Sequence, residues 1–485
     1  MDAASEALQR ECGVVTEGLD AHIVTLLSCV HSVLPSPPVV SGHAALLPPS
    51  DDGVDRISDL PDNILGDIVS RLPVKDGART AALSCRWRGV WRSAPLVLID
   101  SDLLTVGSES DARADARRVA YAVSDILDAH PGPFRCVHLV CSSLEEYPDL
   151  LARWLHLLAA KGVGELVLAN RPWPLDMPLP PTVFGMATLT RLYLGVFQFP
   201  DTTAIRGATA FPRLRELGLC FVAMLRREDM EFLLSRSPCA GDSMHPSELK
   251  DAPHLERLII WSSTVRDDLP RLVKIGHAPS LSILGYLEPE RHTLEVGNTI
   301  IKARTRASPN TTVPSVKILG LRVYFSIRNN AKMLPSFLRC FPNVETLHLE
   351  SKETYQPTGK LSNKFWQEVG AIECVQSHIK LMVFYGFRGE RGELSFLKFF
   401  LETARMLTKL VIVFNKGSFA SVAEANSKVK PLFSTKWASR DCSLLLLESA
   451  LPAGEDKWLL NFKTGSDFST KDPFVCAVAL GGCNF

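Results

Sequence analysis

The chain has 485 residues, with 53 lysines and arginines against 53 aspartates and glutamates, so its formal net charge is zero. Hydrophobic residues make up 46% and charged residues 22% of the chain, which is ordinary globular usage and excludes a wholly disordered, collagen-like or coiled-coil protein. The balanced charge gives no argument for nucleic acid or an anionic membrane as the main partner, and the length favours more than one domain.

Residues 1–54 form a leader without a periodic hydrophobic pattern, and prolines cluster at residues 35–38 and 48–49. This composition predicts disorder. The first residues are acidic where a secretory signal needs basic ones, and no apolar run approaches the roughly 18 residues of a membrane span. The cysteines form no paired C-x-x-C arrangement. We therefore expect reduced thiols, no membrane partner, and a location in the nucleus, the cytoplasm or both.

Residues 55–95 predict three short helices. Asp59 is a candidate N-cap of the first helix, Pro61 suits its first turn, and Pro73 ends it. The second and third helices are expected over Lys75–Ala82 and Arg86–Trp91. A bundle of roughly 40 residues buries little surface by itself, so we expect it to pack on a partner.

From residue 134 onward, a six-residue block recurs with apolar residues at its first, fourth and sixth positions. The blocks begin at Phe134, Val163, Leu189, Leu214, Leu255, Leu281, Val316, Val344, Ile379 and Leu407. Intervals of roughly 25 to 41 residues are typical of irregular leucine-rich repeats, in which each strand buries its apolar face against its neighbours. A connecting helix is expected between Ile379 and Leu407, and terminal strands over Leu444–Leu447 and Val475–Leu480.

Two groups of residues carry a family resemblance. The run Asp59-Leu60-Pro61-Asp62-Asn63-Ile64-Leu65, followed by Leu72-Pro73-Val74-Lys75-Asp76 and Cys85-Arg86-Trp87-Arg88, resembles the F-box. The run Glu373-Cys374-Val375-Gln376-Ser377-His378, followed by Gly386-Phe387-Arg388-Gly389, is similar to the FBD motif of plant F-box proteins. With the repeats between them, these motifs resemble the plant F-box/leucine-rich-repeat/FBD family.

The resemblance implies an α/β protein with an N-terminal three-helix F-box, an irregular leucine-rich-repeat solenoid and a C-terminal FBD region. The expected boundaries are 1–54 for the leader, 55–95 for the F-box, 96–370 for the solenoid, and 371–485 for the FBD region with its cap. It also implies a non-catalytic substrate-recognition subunit of a Skp-cullin-F-box ubiquitin ligase, which binds a Skp-type adaptor and through it a cullin. The implied adaptor-facing positions are Leu60, Pro61, Ile64, Leu65, Ile68, Leu72, Pro73, Val74, Leu83 and Trp87.

Two glycines depart from the usual F-box pattern and keep an alternative open. Gly66 lies within the first helix, where glycine costs roughly 1 kcal/mol relative to alanine, and Gly77 stands where an apolar residue is usual. A degenerate F-box would make the chain a leucine-rich-repeat binding module that works outside the ligase.

Side chains alternate along a strand, so the positions between the block leucines are expected to form an exposed, substrate-binding face. The candidate residues are Arg191, Tyr193, Arg257, Ile259, Trp261, Thr346, His348 and Glu350. We expect an unknown protein as the substrate. No catalytic, metal-binding or nucleotide-binding motif was recognised, so no cofactor and no enzymatic activity are expected.

Overall fold

A computed structural model of the protein describes residues 57–103, 112–140, 144, 148–170, 177–200, 211–220, 222, 254–260, 271–276, 278–289, 292–353, 357–359, 361, 363–452 and 472–474. The chain divides into two compact units, Met1–Leu214 with Leu219–Ala223, and Arg215–Gly218 with Met224–Phe485. The predicted leader lies outside the described residues.

Three short helices open the described part of the first unit: α1 (Asp62–Val69), α2 (Val74–Thr80) and α3 (Cys85–Ser93). Pro61 and Pro73 stand directly before α1 and α2, where a missing N–H costs nothing. Ser84 caps α3, because its hydroxyl accepts a hydrogen bond from the Trp87 N–H at 3.3 Å. The three predicted helices are confirmed with shifted ends, but Asp59 does not cap α1: Pro61 holds that position.

Along its described residues, the first unit continues with four parallel strands and two long helices: β1 (Leu96–Ile99), α4 (Ala112–Ala129), β2 (Phe134–Leu139), α5 (Pro148–Lys161), β3 (Glu165–Ala169) and β4 (Arg191–Gly195). Each strand pairs with the next in chain order. Parallel neighbours need a crossover connection, and α4 and α5 supply two of these. Trp154 of α5 is buried, and its Nε1 donates to Ser124 Oγ of α4 at 2.8 Å, which joins the two helices.

The division between the units falls within β5 (Glu216–Cys220). The second unit continues with β6 (Arg257–Ile260), β7 (Arg271–Ile275), β8 (Ile283–Leu287), β9 (His292–Val296), β10 (Thr299–Ile300), β11 (Ile318–Val323), α6 (Arg328–Arg339), β12 (Thr346–Ser351), α7 (Asn363–Glu368), α8 (Glu373–Ser377), β13 (Leu381–Tyr385), α9 (Arg391–Thr403), β14 (Lys409–Lys416), α10 (Val422–Phe433) and β15 (Ser443–Pro452). In this unit β6, β8, β11, β12, β13, β14 and β15 pair in parallel, in that order.

Every predicted repeat block contains a strand, and most strands begin two residues after the first apolar position of the block. The first position instead closes a turn: the N–H of Leu214 donates to the carbonyl of Phe211, and the N–H of Leu281 to the carbonyl of Ala278. Pro212 and Pro279 occupy the second position of these turns, where the fixed φ of proline is favourable. The fourth and sixth positions, such as Leu347 and Leu349, are completely buried.

The sequence did not predict a small three-stranded sheet in the second unit. Strands β7 and β9 pair in parallel, and β10 returns antiparallel to β9 through a turn that contains Gly297. Gly297 has φ +58°, a left-handed conformation that glycine adopts without strain. No helix in the described ranges is both long enough and apolar enough to cross a membrane.

Candidate interaction surfaces

The helical bundle exposes large aliphatic side chains to solvent. Ile57, Ile64, Ile68 and Leu83 are 56%, 44%, 36% and 67% exposed. Ile64 and Ile68 are four residues apart on α1 and therefore share one face of that helix. Such exposure within one small bundle is typical of a protein-docking surface.

Three of the ten predicted adaptor-facing residues are part of the bundle interior. Leu65, Val74 and Trp87 are 0%, 5% and 7% exposed in the free chain, so they pack within the bundle there, and their contact with an adaptor stays a prediction. Leu65 follows Ile64 by one residue, which turns it about 100° around the helix axis. Among the others, Pro61, Ile64, Ile68 and Leu83 are exposed, and Leu60, Leu72 and Pro73 are half-buried.

Arg86 holds the segment before α1 against α3. Its Nε donates to Asp62 Oδ1 at 2.8 Å, its Nη2 donates to the Leu60 carbonyl at 2.5 Å, and its Nη1 donates to the Ser58 carbonyl. The Trp87 Nε1 adds a hydrogen bond to Ser58 Oγ at 3.4 Å. Arg86 thus fixes the backbone that presents Leu60, a role that the sequence analysis did not predict.

The described members of the predicted substrate-binding set lie at their predicted strand positions, but they are not exposed. Arg191, Tyr193, Arg257, Ile259, His348 and Glu350 are buried and Thr346 is half-buried, which corrects the expectation of an open face. Trp261 lies outside the described residues. Parallel strands are usually covered on both faces, and the polar alternation in the sequence did not reveal this.

In the first unit, the ionisable side chains on the polar strand face are paired or uncharged. Arg191 on β4 lies opposite Glu165 on β3, and its Nη1 donates to Glu165 Oε2 at 2.8 Å. His138 on β2 is 4% exposed, and burial together with the Arg191 charge lowers its pKa to about 3. The imidazole is therefore neutral at physiological pH.

In the second unit, a buried ion-pair network crosses β8, β11 and β12. Arg322 Nε donates to Glu350 Oε2 at 2.6 Å, and Arg322 Nη1 lies 3.4 Å from Oε1 of Glu288. Lys352 Nζ lies 3.0 Å from the other Glu350 oxygen. The Arg322 guanidinium also stacks 4.7 Å from the ring centroid of Tyr286. Burial opposes its charge, but the two glutamates outweigh burial and raise the Arg322 pKa above its usual range.

Beside this network, Asp472–Phe474 packs on the strand face of the second unit. Phe474 is completely buried, and its ring lies 5.1 Å from the ring of Tyr286 and 5.4 Å from that of His348. His348 Nε2 lies 2.5 Å from Asp472 Oδ2, and Tyr385 Oη donates to the Phe474 carbonyl at 2.9 Å. A segment far along the chain thus occupies the face on which we expected a substrate.

The described residues contain no group of three or more histidine, cysteine, aspartate or glutamate side chains placed to hold a metal ion. Burial raises the pKa values of the Cys340 and Cys374 thiols to about 12, which disfavours the nucleophilic thiolate. A cleft of about 1210 Å³ beside α6 has a lining that includes both Arg339 and Glu373. This mixed charge favours no single class of ligand.

Three family models match the chain. The F-box domain model matches residues 57–98, the model described as FBD-associated F-box protein At5g56370, LRR repeats, matches residues 151–239 and 241–349, and the FBD model matches residues 367–412. The chain belongs to the plant F-box/leucine-rich-repeat/FBD family. The family and the fold class expected from the sequence are confirmed, whereas the exact domain boundaries stay predictions.

Relatives in Arabidopsis thaliana align along much of this family member. The F-box/LRR-repeat protein At3g59200 is 23% identical over 478 residues, which cover 82% of this chain and 89% of the relative. The F-box/FBD/LRR-repeat protein At2g04230 is 25% identical over 443 residues, with 81% and 96% coverage. The F-box/FBD/LRR-repeat protein At1g13570 is 29% identical over 184 residues, which cover 38% of this chain and 42% of the relative.

Within the FBD match, a buried carboxylate joins a strand to a helix. Glu393 on α9 is completely buried, and its oxygens accept hydrogen bonds from Ser351 Oγ at 2.6 Å, the Arg388 N–H at 3.0 Å and the Glu390 N–H at 2.9 Å. Arg388 Nη2 lies 3.4 Å from Glu393 Oε1, and Arg388 Nη1 donates to the Ser351 carbonyl at 3.1 Å. Arg388 and Glu393 therefore fasten α9 to the end of β12.

The two unusual glycines of this F-box are compatible with its helices. A Cβ built on Gly66 would contact nothing within 4 Å, so this glycine serves no close packing in the free chain. A Cβ on Gly77 would lie 3.5 Å from Leu96 Cδ2 and 3.8 Å from Val69 Cγ1, which is ordinary van der Waals contact. Both helices form despite the glycines, because the buried Leu65 and Val74 provide packing.

Proposed function

We propose that the protein is the substrate-recognition subunit of a Skp-cullin-F-box ubiquitin ligase. Its F-box would dock a Skp-type adaptor, which connects it to a cullin, and its repeats would hold a protein substrate. The observation that carries this proposal is the exposed set Ile64, Ile68 and Leu83 within the segment that the F-box model matches. Members of the F-box/LRR family are typically non-catalytic adaptors.

The geometry of the bundle supports a docking role. Burying a large aliphatic side chain is worth about 1.5–3 kcal/mol, and exposed aliphatic side chains are available for this in the free chain. Arg86 holds the Leu60 backbone in place before a partner arrives, which reduces the ordering that binding requires.

The proposed mechanism is proximity. A ligase that holds a substrate beside a charged ubiquitin donor turns an intermolecular transfer into an effectively intramolecular one. This chain would supply two binding surfaces, and bond-making would take place on other subunits. The proposal places the protein in the nucleus, the cytoplasm or both, together with its adaptor and cullin.

The alternative is a repeat protein that binds its partner outside the ligase. Gly66 favours it, because a glycine within α1 weakens the helix that carries Ile64 and Ile68. The two functions differ in one measurable property, which is assembly with a cullin.

Size-exclusion chromatography of the purified chain with a Skp-type adaptor and a cullin tests the proposal. The wild-type chain should co-elute with both proteins, and Leu83→Asp should elute separately. Tyr121→Asp is the matched control, because Tyr121 is 56% exposed but lies on α4 outside the predicted docking surface. Failure of the folded wild-type chain to enter the complex would favour the alternative.

A further inference from the structure

Asp472–Phe474 contacts the strand face of the second unit as a short peptide ligand would. Tyr286 on β8 contacts the Phe474 ring, and His348 on β12 contacts the Asp472 carboxylate. Tyr385 on β13 contacts the Phe474 main-chain carbonyl. The contact between His348 and Asp472 joins residues that are 124 positions apart in the chain. The segment itself adds no strand to the sheet.

Two glycines in adjacent strands make room for the Phe474 ring. A Cβ on Gly285 of β8 would lie 2.8 Å from Phe474 Cζ and 2.8 Å from the Cα of Gly320. A Cβ on Gly320 of β11 would lie 3.3 Å from Phe474 Cε1 and Cζ. Glycine within a strand often marks a close approach by another group, and here the missing side chains create an aromatic slot.

One wall of this slot lies where β8 is irregular. Leu284 and Leu287 pair with Leu319 and Leu321 of β11, so β8 has one extra residue between its paired positions. In this stretch Tyr286 meets the Phe474 ring at 61°, an edge-to-face geometry that is favourable between aromatic rings. The Arg322 guanidinium, 4.7 Å from the Tyr286 ring centroid, supports that wall.

Polar groups recognise the residues around the aromatic ring. Asp472 is placed so that Oδ2 meets His348 Nε2 at 2.5 Å, while Oδ1 accepts from the Phe474 N–H at 2.9 Å. This second bond sets the spacing between the carboxylate and the aromatic side chain. The Phe474 carbonyl accepts from Tyr385 Oη at 2.9 Å.

The internal segment does not use all the polar groups of the slot. Tyr286 Oη and His348 Nδ1 are buried, and neither has a hydrogen-bond partner among the described residues. Buried polar groups are normally satisfied, and these two atoms have capacity for hydrogen bonds that the internal segment does not make. Both side chains contact Phe474 directly.

We propose that this aromatic slot is a peptide-recognition site for an acidic residue followed, two positions later, by phenylalanine. Asp472-Pro473-Phe474 occupies it as an internal ligand, and a partner protein with the same pattern in the same turn conformation competes for it. Only the identification of that partner as the ligase substrate rests on the proposed function.

Fluorescence anisotropy of a labelled peptide with the sequence of residues 469–475 tests the site. The full chain with Phe474→Ala should bind this peptide at least about tenfold more tightly than the wild-type chain, in which a tethered ligand of high effective concentration competes. Peptides with alanine at the Phe474 position or asparagine at the Asp472 position should bind about tenfold or more weakly, because each lacks one of the central contacts.

A slot-filling variant provides the site control. Gly320→Leu combined with Phe474→Ala should abolish peptide binding, because the new side chain occupies the space of the ring. The same preparations should still bind the Skp-type adaptor, so failure of the slot and failure of the adaptor role are separate results.

Two results would overturn the proposal. One is a folded Phe474→Ala chain that binds the peptide no better than the wild-type chain. The other is loss of the fold in both Phe474→Ala and the more conservative Phe474→Leu, because a segment that the fold requires is not an exchangeable ligand.

Discussion

Replacing Glu393 with alanine should loosen α9 from β12. The substitution removes the acceptor of three hydrogen bonds, from Ser351 Oγ and from the backbone N–H groups of Arg388 and Glu390. At about 1 kcal/mol for each such bond, their loss costs about 3 kcal/mol. The Arg388 guanidinium also loses its nearby buried carboxylate, and breaking a buried ion pair costs about 3–5 kcal/mol. Because these contributions overlap, we expect a total of about 3–5 kcal/mol.

Native-state hydrogen exchange, read by mass spectrometry on peptides from α9 and β12, measures this cost locally. A local readout is needed because a chain of two compact units does not guarantee two-state unfolding. Glu393→Gln keeps an oxygen acceptor and should cost less than Glu393→Ala. Glu402→Ala is the matched control: Glu402 lies on the same helix but is exposed, so its change should stay within about 0.5 kcal/mol. Equal protection of α9 in Glu393→Ala and Glu402→Ala would refute the stabilising role of the network.

Three further changes probe the first unit and the leader. Gly66→Ala should raise the free energy of unfolding of the helical bundle by about 1 kcal/mol, because nothing lies within 4 Å of the added Cβ; an unchanged or lower value in denaturant titration would contradict this. His138, with its pKa lowered to about 3, gives stability that is full above its unfolded pKa of about 6.5 and is lost as the pH falls towards 3. Between pH 6 and 5 the wild-type chain should therefore lose about 1 kcal/mol more than His138→Gln, and parallel losses in urea titrations would contradict the burial of a neutral imidazole. A chain that begins at Val54 should melt within about 4 °C of the full chain, whereas a larger drop would show that the leader packs on the body.

The repeat strands were predictable from sequence because the spacing of apolar residues within each block depends only on local strand geometry. Leu347 and Leu349 point into a common core, and the alternation between them fixes which face of the strand is buried. The turn before a strand is also local. In Phe211–Leu214, the Phe211 carbonyl accepts a hydrogen bond from the Leu214 N–H, only three residues further along the chain. Short-range chemistry of this kind is visible in a single sequence.

The environment of the second strand face was not predictable, because it depends on contacts between distant residues. Arg322 and Glu350 look like solvent-exposed positions in the sequence, but they form a buried pair across adjacent strands. His348 looks equally exposed, and its partner Asp472 is 124 residues away. In the bundle, Ile64 and Leu65 are adjacent apolar residues, and only the packing of the helices decides which one is exposed.

Adaptor binding by α1 is the most direct test of the proposed function. Isothermal titration calorimetry with a purified Skp-type adaptor should show binding to the wild-type chain and to Tyr121→Asp. The double variant Ile64→Asp with Ile68→Asp should lose at least about 3 kcal/mol of binding free energy, because two charges enter a desolvated apolar interface. Both side chains are exposed in the free chain, so the variant should retain its fold and melting temperature. Unchanged adaptor affinity in the folded double variant would contradict the account.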